Sequence, residues 1–382
     1  MAYPTPIEWT DATWNPVGGC SIHSPGCANC YAQLLAGTRL RKHPLYAGTT
    51  KSVKGKPVFN GRLTALPHGH PTWTWPLTWG GAKEPKLGPY APSMIFVGDM
   101  SDLLHEDRSL GYFATVLDVC ARSRHIVQIL TKRADRLAEA VRLWMDTEGE
   151  DFTAFRDARG PAEVRERHPS GRARLFADML ETWGPPPAGC AYPAFDWMQG
   201  HLWWPAVIER LWLGFSAERQ AEFDERWELL RALAEAGWIV FVSIEPMLGP
   251  VVLPEDFLRF GRRVQVICGF ESGPDARPGH PDWARALRDQ CEPAGVPFLF
   301  KQWGSWRPIA DRPIVRIEEA RGSGQPDVAW PDGTIAWGTA AEHGGPGVKL
   351  LHYRKKGEAG RLLDGRTHDA WPSMAAAREQ AA

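Results

Sequence analysis

Three cysteines fall within eleven residues, Cys20, Cys27 and Cys30, with His23 between the first two. Thiolates this close in sequence can bind soft metals, and two metal readings compete on the spacing, with unligated thiols as a third. A cluster with four irons takes cysteine thiolates, normally four, so a trio leaves one iron open to a small molecule. Zinc instead would use Cys20-x2-His23-x3-Cys27-x2-Cys30 as a closed tetrahedral set. Gly18, Gly19 and Gly26 let the backbone curl about a bound group. The other four cysteines, Cys120, Cys190, Cys268 and Cys291, are scattered and read as small hydrophobes of the core or of an insertion.

A second set of polar residues stands just after short apolar runs. Asp99, Ser101 and Asp102 follow Met94–Val97, and Thr131, Lys132 and Arg133 follow Ile126–Leu130. Ser216 and Glu218 follow Leu211–Phe215, and Glu245 follows Trp238–Ile244. Gly269, Glu271, Ser272 and Gly273 follow Val264–Cys268, while Lys301, Gln302 and Trp303 follow Pro297–Phe300. One polar residue after a strand is commonly a helix cap. Repetition at every run predicts a polar, charge-balanced pocket at one mouth of a barrel.

The elements that must position these groups are legible from periodicity. The apolar runs are too short for helices, and their unbroken apolarity suits strands buried on both faces of a parallel sheet. Helical stripes lie between them: Leu110, Phe113, Leu117 and Cys120; Leu137, Val141 and Trp144; Phe223, Trp227, Leu230 and Ala234. Pro281 opens a further helix, carrying Trp283 and Leu287, and Gly295 follows it. With a short strand before Cys20, this alternation predicts an α/β chain folded as a complete or partial TIM-like (βα) barrel over residues 1–306. Residues 43–92, rich in Pro, Gly and Trp, read as a long loop whose Trp73, Trp75 and Trp79 either cover the barrel, the favoured reading, or stack on a base or sugar ring. Residues from about 147 to 205 read as an insertion with a charged helical stretch, Ala162–Trp183. Residues 307–382 form a C-terminal extension. It carries a hairpin over Val328–Trp337 and a Gly360–Gly365 segment whose Arg361 and Asp364 anchor the tail; the last ten residues are expected to fray.

Composition narrows the function classes. Among 382 residues, 44 Lys and Arg against 45 Asp and Glu leave a formal net charge of -1, which excludes a strongly basic nucleic-acid coat but not a local basic groove. No apolar run approaches the ~20 residues of a membrane span, and the start lacks the basic and apolar segments of a signal peptide. The expectation is a soluble cytoplasmic protein with no membrane partner.

The segments Ile7–Cys20 and Ser24–Ala32 resemble a phage- and prophage-associated family of radical-SAM-like proteins with a Cys-x6-Cys-x2-Cys motif, grouped as a domain of unknown function. The resemblance continues in order through Phe96–Asp107, Gln128–Arg133, Leu211–Glu218, Val242–Pro250, Gly269–Pro274, Val296–Gly304 and Gly360–Gly365. It implies a [4Fe–4S] cluster on Cys20, Cys27 and Cys30, with S-adenosylmethionine on the fourth iron. Reductive cleavage would yield methionine and a 5′-deoxyadenosyl radical that abstracts hydrogen from a substrate. The Asp99, Ser101 and Asp102 turn would receive the methionine amino group, Ser216 and Glu218 the ribose, and Gly269, Glu271 and Ser272 the adenine or carboxylate. Lys132, Arg133, Glu245 and Lys301 remain for substrate contact or proton transfer, with Lys132, Glu245 and Lys301 the catalytic candidates. The implied partners are a small-molecule or nucleotide substrate, a nucleic-acid base among the candidates, and an electron donor such as flavodoxin or ferredoxin.

The chain departs from the usual radical-SAM pattern in three places. Six residues rather than three separate the first two cysteines, Asn29 stands where an aromatic residue is usual, and Phe270 replaces an expected Gly. Two rivals belong to other classes. One is a zinc-stapled binding protein using Cys20, His23, Cys27 and Cys30. The other is a barrel hydrolase, such as a glycosidase, with paired carboxylates among Asp99, Glu245 and Glu271.

Overall fold

The computed structural model describes residues 4–67, 69–79, 93–146, 161–167, 170–183, 204–308, 327–329, 331–337, 349–353 and 356–372. Every apolar run becomes a strand: β1 (Ala12–Trp14), β2 (Met94–Val97), β3 (Ile126–Thr131), β4 (Leu211–Ser216), β5 (Val240–Ile244), β6 (Val264–Gly269) and β7 (Phe298–Gln302). They form one sheet whose strand order is the sequence order. A doubly wound sheet would reverse order at a switch point; this one does not. The winding is that of a (βα) barrel, and the mixed α/β fold is compatible with a partial TIM-like barrel.

The chain divides into two compact units within β4. The first comprises Met1–Ile22, Ala32–Leu213 and Glu235–Trp238, and the second His23–Tyr31, Gly214–Ala234 and Ile239–Ala382.

In the first unit β2 pairs in parallel with β1 (Ala12↔Ile95) and with β3 (Met94↔Ile126). Helix α1 spans Tyr31–Gly37. Helix α2 (Leu110–Arg122) starts where the Ser109 hydroxyl accepts the Tyr112 N–H, and ends at Ser123. Its Phe113, Leu117 and Cys120 are buried, as the stripe predicted. Helix α3 (Ala134–Met145) buries Leu137, Val141 and Trp144. The predicted charged stretch forms two helices, α4 (Pro161–Arg167) and α5 (Gly171–Trp183), and α5 packs on α2 and α3. Residues 147–160, 168–169 and 184–203 of that insertion, with Cys190, lie outside the described residues.

The long loop expected over residues 43–92 contains strands in its described part; residues 68 and 80–92 lie outside the described residues. Thr50–Val53 and Lys56–Phe59 form an antiparallel hairpin turned at Lys54 (φ 48) and Gly55 (φ 78). Its strands are short and polar, so no apolar run announced them. The turn needs two left-handed residues; Gly55 supplies one at no steric cost, and Lys54 takes the other. The tryptophans do pack: Trp73 is 2% exposed, edge-on to Trp14 and Tyr112, and Trp75 and Trp79 lie 5.0 Å apart.

In the second unit β6 pairs in parallel with β5 (Val264↔Val240) and with β7 (Val266↔Phe298). Helix α6 (Gln220–Glu235) buries Phe223, Trp227 and Leu230. Helix α7 (Pro281–Ala294) has Pro281 in its first turn and closes on Gly295 at φ 66, as predicted. Gly214 in β4 is a tight point: an added Cβ would stand 2.4 Å from the wholly buried Phe241 ring. Gly214→Ala is therefore expected to destabilise the chain by about 1–3 kcal/mol, read as a lowered midpoint of thermal unfolding; an unchanged midpoint would contradict that packing.

The extension forms a four-stranded antiparallel sheet, β8 (Trp306–Pro308), β9 (Asp327–Ala329), β10 (Ile335–Trp337) and β11 (Lys349–Tyr353), in the order β8-β11-β9-β10. The predicted hairpin is β9–β10. Trp306, Ala329, Leu351 and Ala276 share a buried cluster, and Trp306 Nε1 donates to the Ala276 carbonyl at 2.6 Å. Asp364 anchors the tail through Arg285 (2.8 Å) and Arg288 (2.5 Å), and Arg361 pairs with Asp369. The last ten residues lie outside the described ones. Among the described residues, no helix is long and apolar enough to cross a membrane.

Candidate functional site

In the first unit the Cys20 end of the thiol segment is tied to the ends of β2 and β3. Gly19 bridges to Ser101. The Ser21 hydroxyl lies 2.9 Å from His105 Nε2 and accepts from Arg133 Nη2 at 2.9 Å. The Asp107 N–H donates to His105 Nδ1 at 3.1 Å, so the proton of the neutral ring sits on Nε2 and points at Ser21. Burial pushes the His105 pKa down, favouring that neutral ring. Ser21 thus accepts two hydrogen bonds, and His105 is in the wrong tautomer to act as its base.

Arg133, 3% exposed, is the hub of this cluster. Its Nη1 donates to Asp102 Oδ2 at 2.8 Å and its Nε to Glu106 Oε2 at 2.5 Å, and its charge acts on Cys20. Asp102 also accepts from Thr131 Oγ1 (2.7 Å) and from the Leu104 N–H (3.0 Å). The Arg133 hydrogen bond holds the Glu106 carboxyl down at about 2. A depressed carboxyl contributes stability above its unfolded value and loses it as pH falls through the folded one. Glu106 is 58% exposed, so solvent screens most of that contribution. The checkable outcome is the titration itself: a side-chain carboxyl NMR signal for Glu106 should stay ionised down to about pH 2, and a midpoint near the usual glutamate value would contradict the pairing.

Asp99 accepts from Asn15 Nδ2 at 2.6 Å; burial raises its carboxyl above the usual value, opposed by the Asn15 and Thr13 hydrogen bonds. Ser101 Oγ is buried and has no hydrogen-bond partner among the described residues. Lys132, half-buried, follows β3 with its N–H 3.4 Å from Asp102 Oδ2.

In the second unit the Cys27–Cys30 end is tied to the ends of β4 and β6. Ser24 Oγ donates to Glu218 Oε1 at 2.6 Å and lies 3.9 Å from Cys27 Sγ. Glu218 is 0% exposed, and Arg226 Nη1 reaches its Oε2 at 3.3 Å and the Ser216 carbonyl at 2.6 Å. Asn29 Nδ2 donates to Glu271 Oε2 at 3.1 Å and to the Asp275 carbonyl at 2.9 Å. Arg277 grips Glu271 through Nε (2.8 Å), Nη2 (2.6 Å) and its own N–H (2.8 Å). Glu245 follows β5, with Ser243 Oγ on Oε2 at 2.9 Å and Lys301 Nζ 3.0 Å from Oε1. Gly269 leaves room for that pair, since a Cβ there would stand 2.5 Å from Glu245 Oε1. Ser272 is half-buried beside Glu271. Phe270, the departure from the expected Gly, is 3% exposed and stacks on Trp303 at 5.4 Å, so its ring belongs to the core.

The strand-end residues named from sequence thus form two groups. Asp99, Ser101, Asp102, Lys132 and Arg133 belong to the first unit, and Ser216, Glu218, Glu245, Gly269, Glu271, Ser272 and Lys301 to the second. Sequence reasoning missed Ser21, Ser24, Asn29, His105, Glu106, Arg226 and Arg277. Their one signal was adjacency: Ser21 and Asn29 each flank a cysteine.

The donor chemistry of the thiol segment suits a soft metal or an iron–sulfur cluster. Cys20, Cys27 and Cys30 are in no disulfide; Cys27 is buried and the other two are half-buried. Among the described residues, no group of three or more His, Cys, Asp or Glu side chains stands in a metal-holding arrangement. Cys120, Cys268 and Cys291 are buried, and burial raises all three thiols, Cys291 to about 12; they are small core hydrophobes, as expected.

Fold and site together define a parallel α/β protein with a thiol segment tied to the carboxyl ends of its strands. The chain belongs to the family described as "protein of unknown function (DUF5131)", whose model matches residues 4–372. No curated protein and no solved structure matches it.

Proposed function

We propose that this protein is a radical-SAM-like iron–sulfur enzyme of the phage-associated kind its motifs resemble, acting in the cytoplasm. The observation that carries the reading is the anchorage of the thiol segment. In the first unit Gly19 and Ser21 hold the Cys20 end to residues that follow β2 and β3. In the second, Ser24 and Asn29 hold the Cys27–Cys30 end to residues that follow β4 and β6. The carboxyl ends of the strands are where (βα) barrels carry their chemistry.

Cys20, Cys27 and Cys30 would hold a [4Fe–4S] cluster. Bound with S-adenosylmethionine, such a cluster supplies one-electron cleavage of the sulfonium and hydrogen abstraction from a substrate. Asp99 and Ser101 are the first unit's candidates for polar contact to S-adenosylmethionine, Ser101 because its buried hydroxyl has an unfilled hydrogen bond among the described residues. Glu245 and Lys301 hold a proton-bearing ion pair at the ends of β5 and β7, suited to substrate contact. The substrate class is a small molecule or nucleotide, and the electron comes from a flavodoxin- or ferredoxin-like donor.

Anaerobic reconstitution with iron, sulfide, a reductant and S-adenosylmethionine tests the reading. Iron and sulfide on the chain and release of 5′-deoxyadenosine are expected. Zinc as the bound metal, lost on His23→Ala, would replace this reading with the zinc-stapled one. Of the hydrolase rival's three candidate carboxylates, two carry a cation, Lys301 on Glu245 and Arg277 on Glu271.

A further inference from the structure

Glu218 and Glu271 end on the thiol turn itself. Glu271 accepts four hydrogen bonds, three from Arg277 and one from Asn29. Three of these fall on Oε2 and one on Oε1. Glu218, wholly buried, has Ser24 on one oxygen and Arg226 on the other. Gly26 lies flat against it: a Cβ there would stand 2.4 Å from Oε1, so the turn and the carboxylate fit only because residue 26 has no side chain. The two arrangements repeat one design. An arginine backs a carboxylate at a strand end, and the carboxylate takes a hydrogen bond from a short polar side chain of the turn. Cys27 lies between Ser24 and Asn29, and Cys30 follows Asn29 directly.

We propose that Glu218 and Glu271 are positioning residues, two arginine-backed clamps that fix the backbone carrying Cys27 and Cys30 before any metal arrives. Hydrogen bonds between charged and polar groups are the strong ones, and the arginine behind each carboxylate holds it in place. Holding the turn in advance removes its ordering entropy from the cost of ligand binding. The clamps stand on the metal-free chain; their purpose, a pre-organised pair of cluster ligands, rests on the function proposed above.

The test uses the reduced, metal-free full-length chain, pulsed with N-ethylmaleimide, with the rate at each cysteine read by peptide mass spectrometry. Ser24→Ala should raise the Cys27 rate, and Asn29→Ala and Glu271→Gln the Cys30 rate, each by roughly tenfold or more. Ser24→Thr, which keeps the hydroxyl, should hold the wild-type rate. Cys20 and Cys120 are internal references and should not change. Rates at Cys27 and Cys30 within about twofold of wild type in both alanine variants would overturn the clamps, as would a uniform rise at all cysteines, which reports general loosening. A wild-type chain that takes up no iron and sulfide defeats the proposed function and leaves the alkylation result standing. Normal cluster uptake with unchanged alkylation defeats the clamps alone.

Discussion

Cys27→Ala is expected to abolish cluster uptake while leaving the metal-free fold in place. A [4Fe–4S] centre on three thiolates holds roughly four irons, and loss of one ligand leaves two corners without protein. Reconstituted variant should therefore carry under a tenth of the wild-type iron and release no 5′-deoxyadenosine. Cys27 is 8% exposed, and Ser24 Oγ lies 3.9 Å from its sulfur. Removing that sulfur costs about 1 kcal/mol or less in packing, so circular dichroism and thermal unfolding of the metal-free variant should match wild type. Cys20→Ala and Cys30→Ala should behave alike, and His23→Ala should keep its iron. Wild-type iron in Cys27→Ala, with activity intact, would remove the thiol trio from the mechanism.

Arg133→Met is expected to be the most damaging single change to stability. Arg133 is 3% exposed, and the side chain of its partner Asp102 is 8% exposed. The substitution leaves that carboxylate buried without its cation, which costs about 3–5 kcal/mol, or roughly 6–20 °C in unfolding midpoint for a unit of this size. It also removes the donor to Ser21, next to Cys20. The double change Arg133→Met with Asp102→Asn should recover much of the loss, because no unpaired charge remains. A midpoint lowered by less than about 2 °C in the single variant would show that the cluster is not held together in this way.

Much of the fold was legible because its strands are buried on both faces. Met94–Val97, Leu211–Ser216 and Val264–Gly269 are fully buried strands, and burial of that kind writes an unbroken apolar run into the sequence. The hairpin at Thr50–Phe59 was not legible, because Lys51, Ser52, Val53 and Lys56 are exposed and carry no burial pattern. Charged partners were invisible for a different reason. Arg226 lies eight residues beyond Glu218, but Glu218 meets Ser24 across 194 residues and Glu271 meets Asn29 across 242.

The amino-acid sequence by itself determined the apolar strands, the helices between them and the burial of Cys120, Cys268 and Cys291. Each of these is a local matter, set by periodicity, by proline and glycine at helix ends, or by residue type. Only the tertiary structure decided what the strand-end charges touch. Ser21 became an acceptor for His105 and Arg133 rather than a nucleophile, and Glu218 and Glu271 became partners of the thiol turn. A buried charge must find its counter-charge and donors wherever the folded chain brings them, and that pairing is settled by packing in space rather than by spacing along the chain.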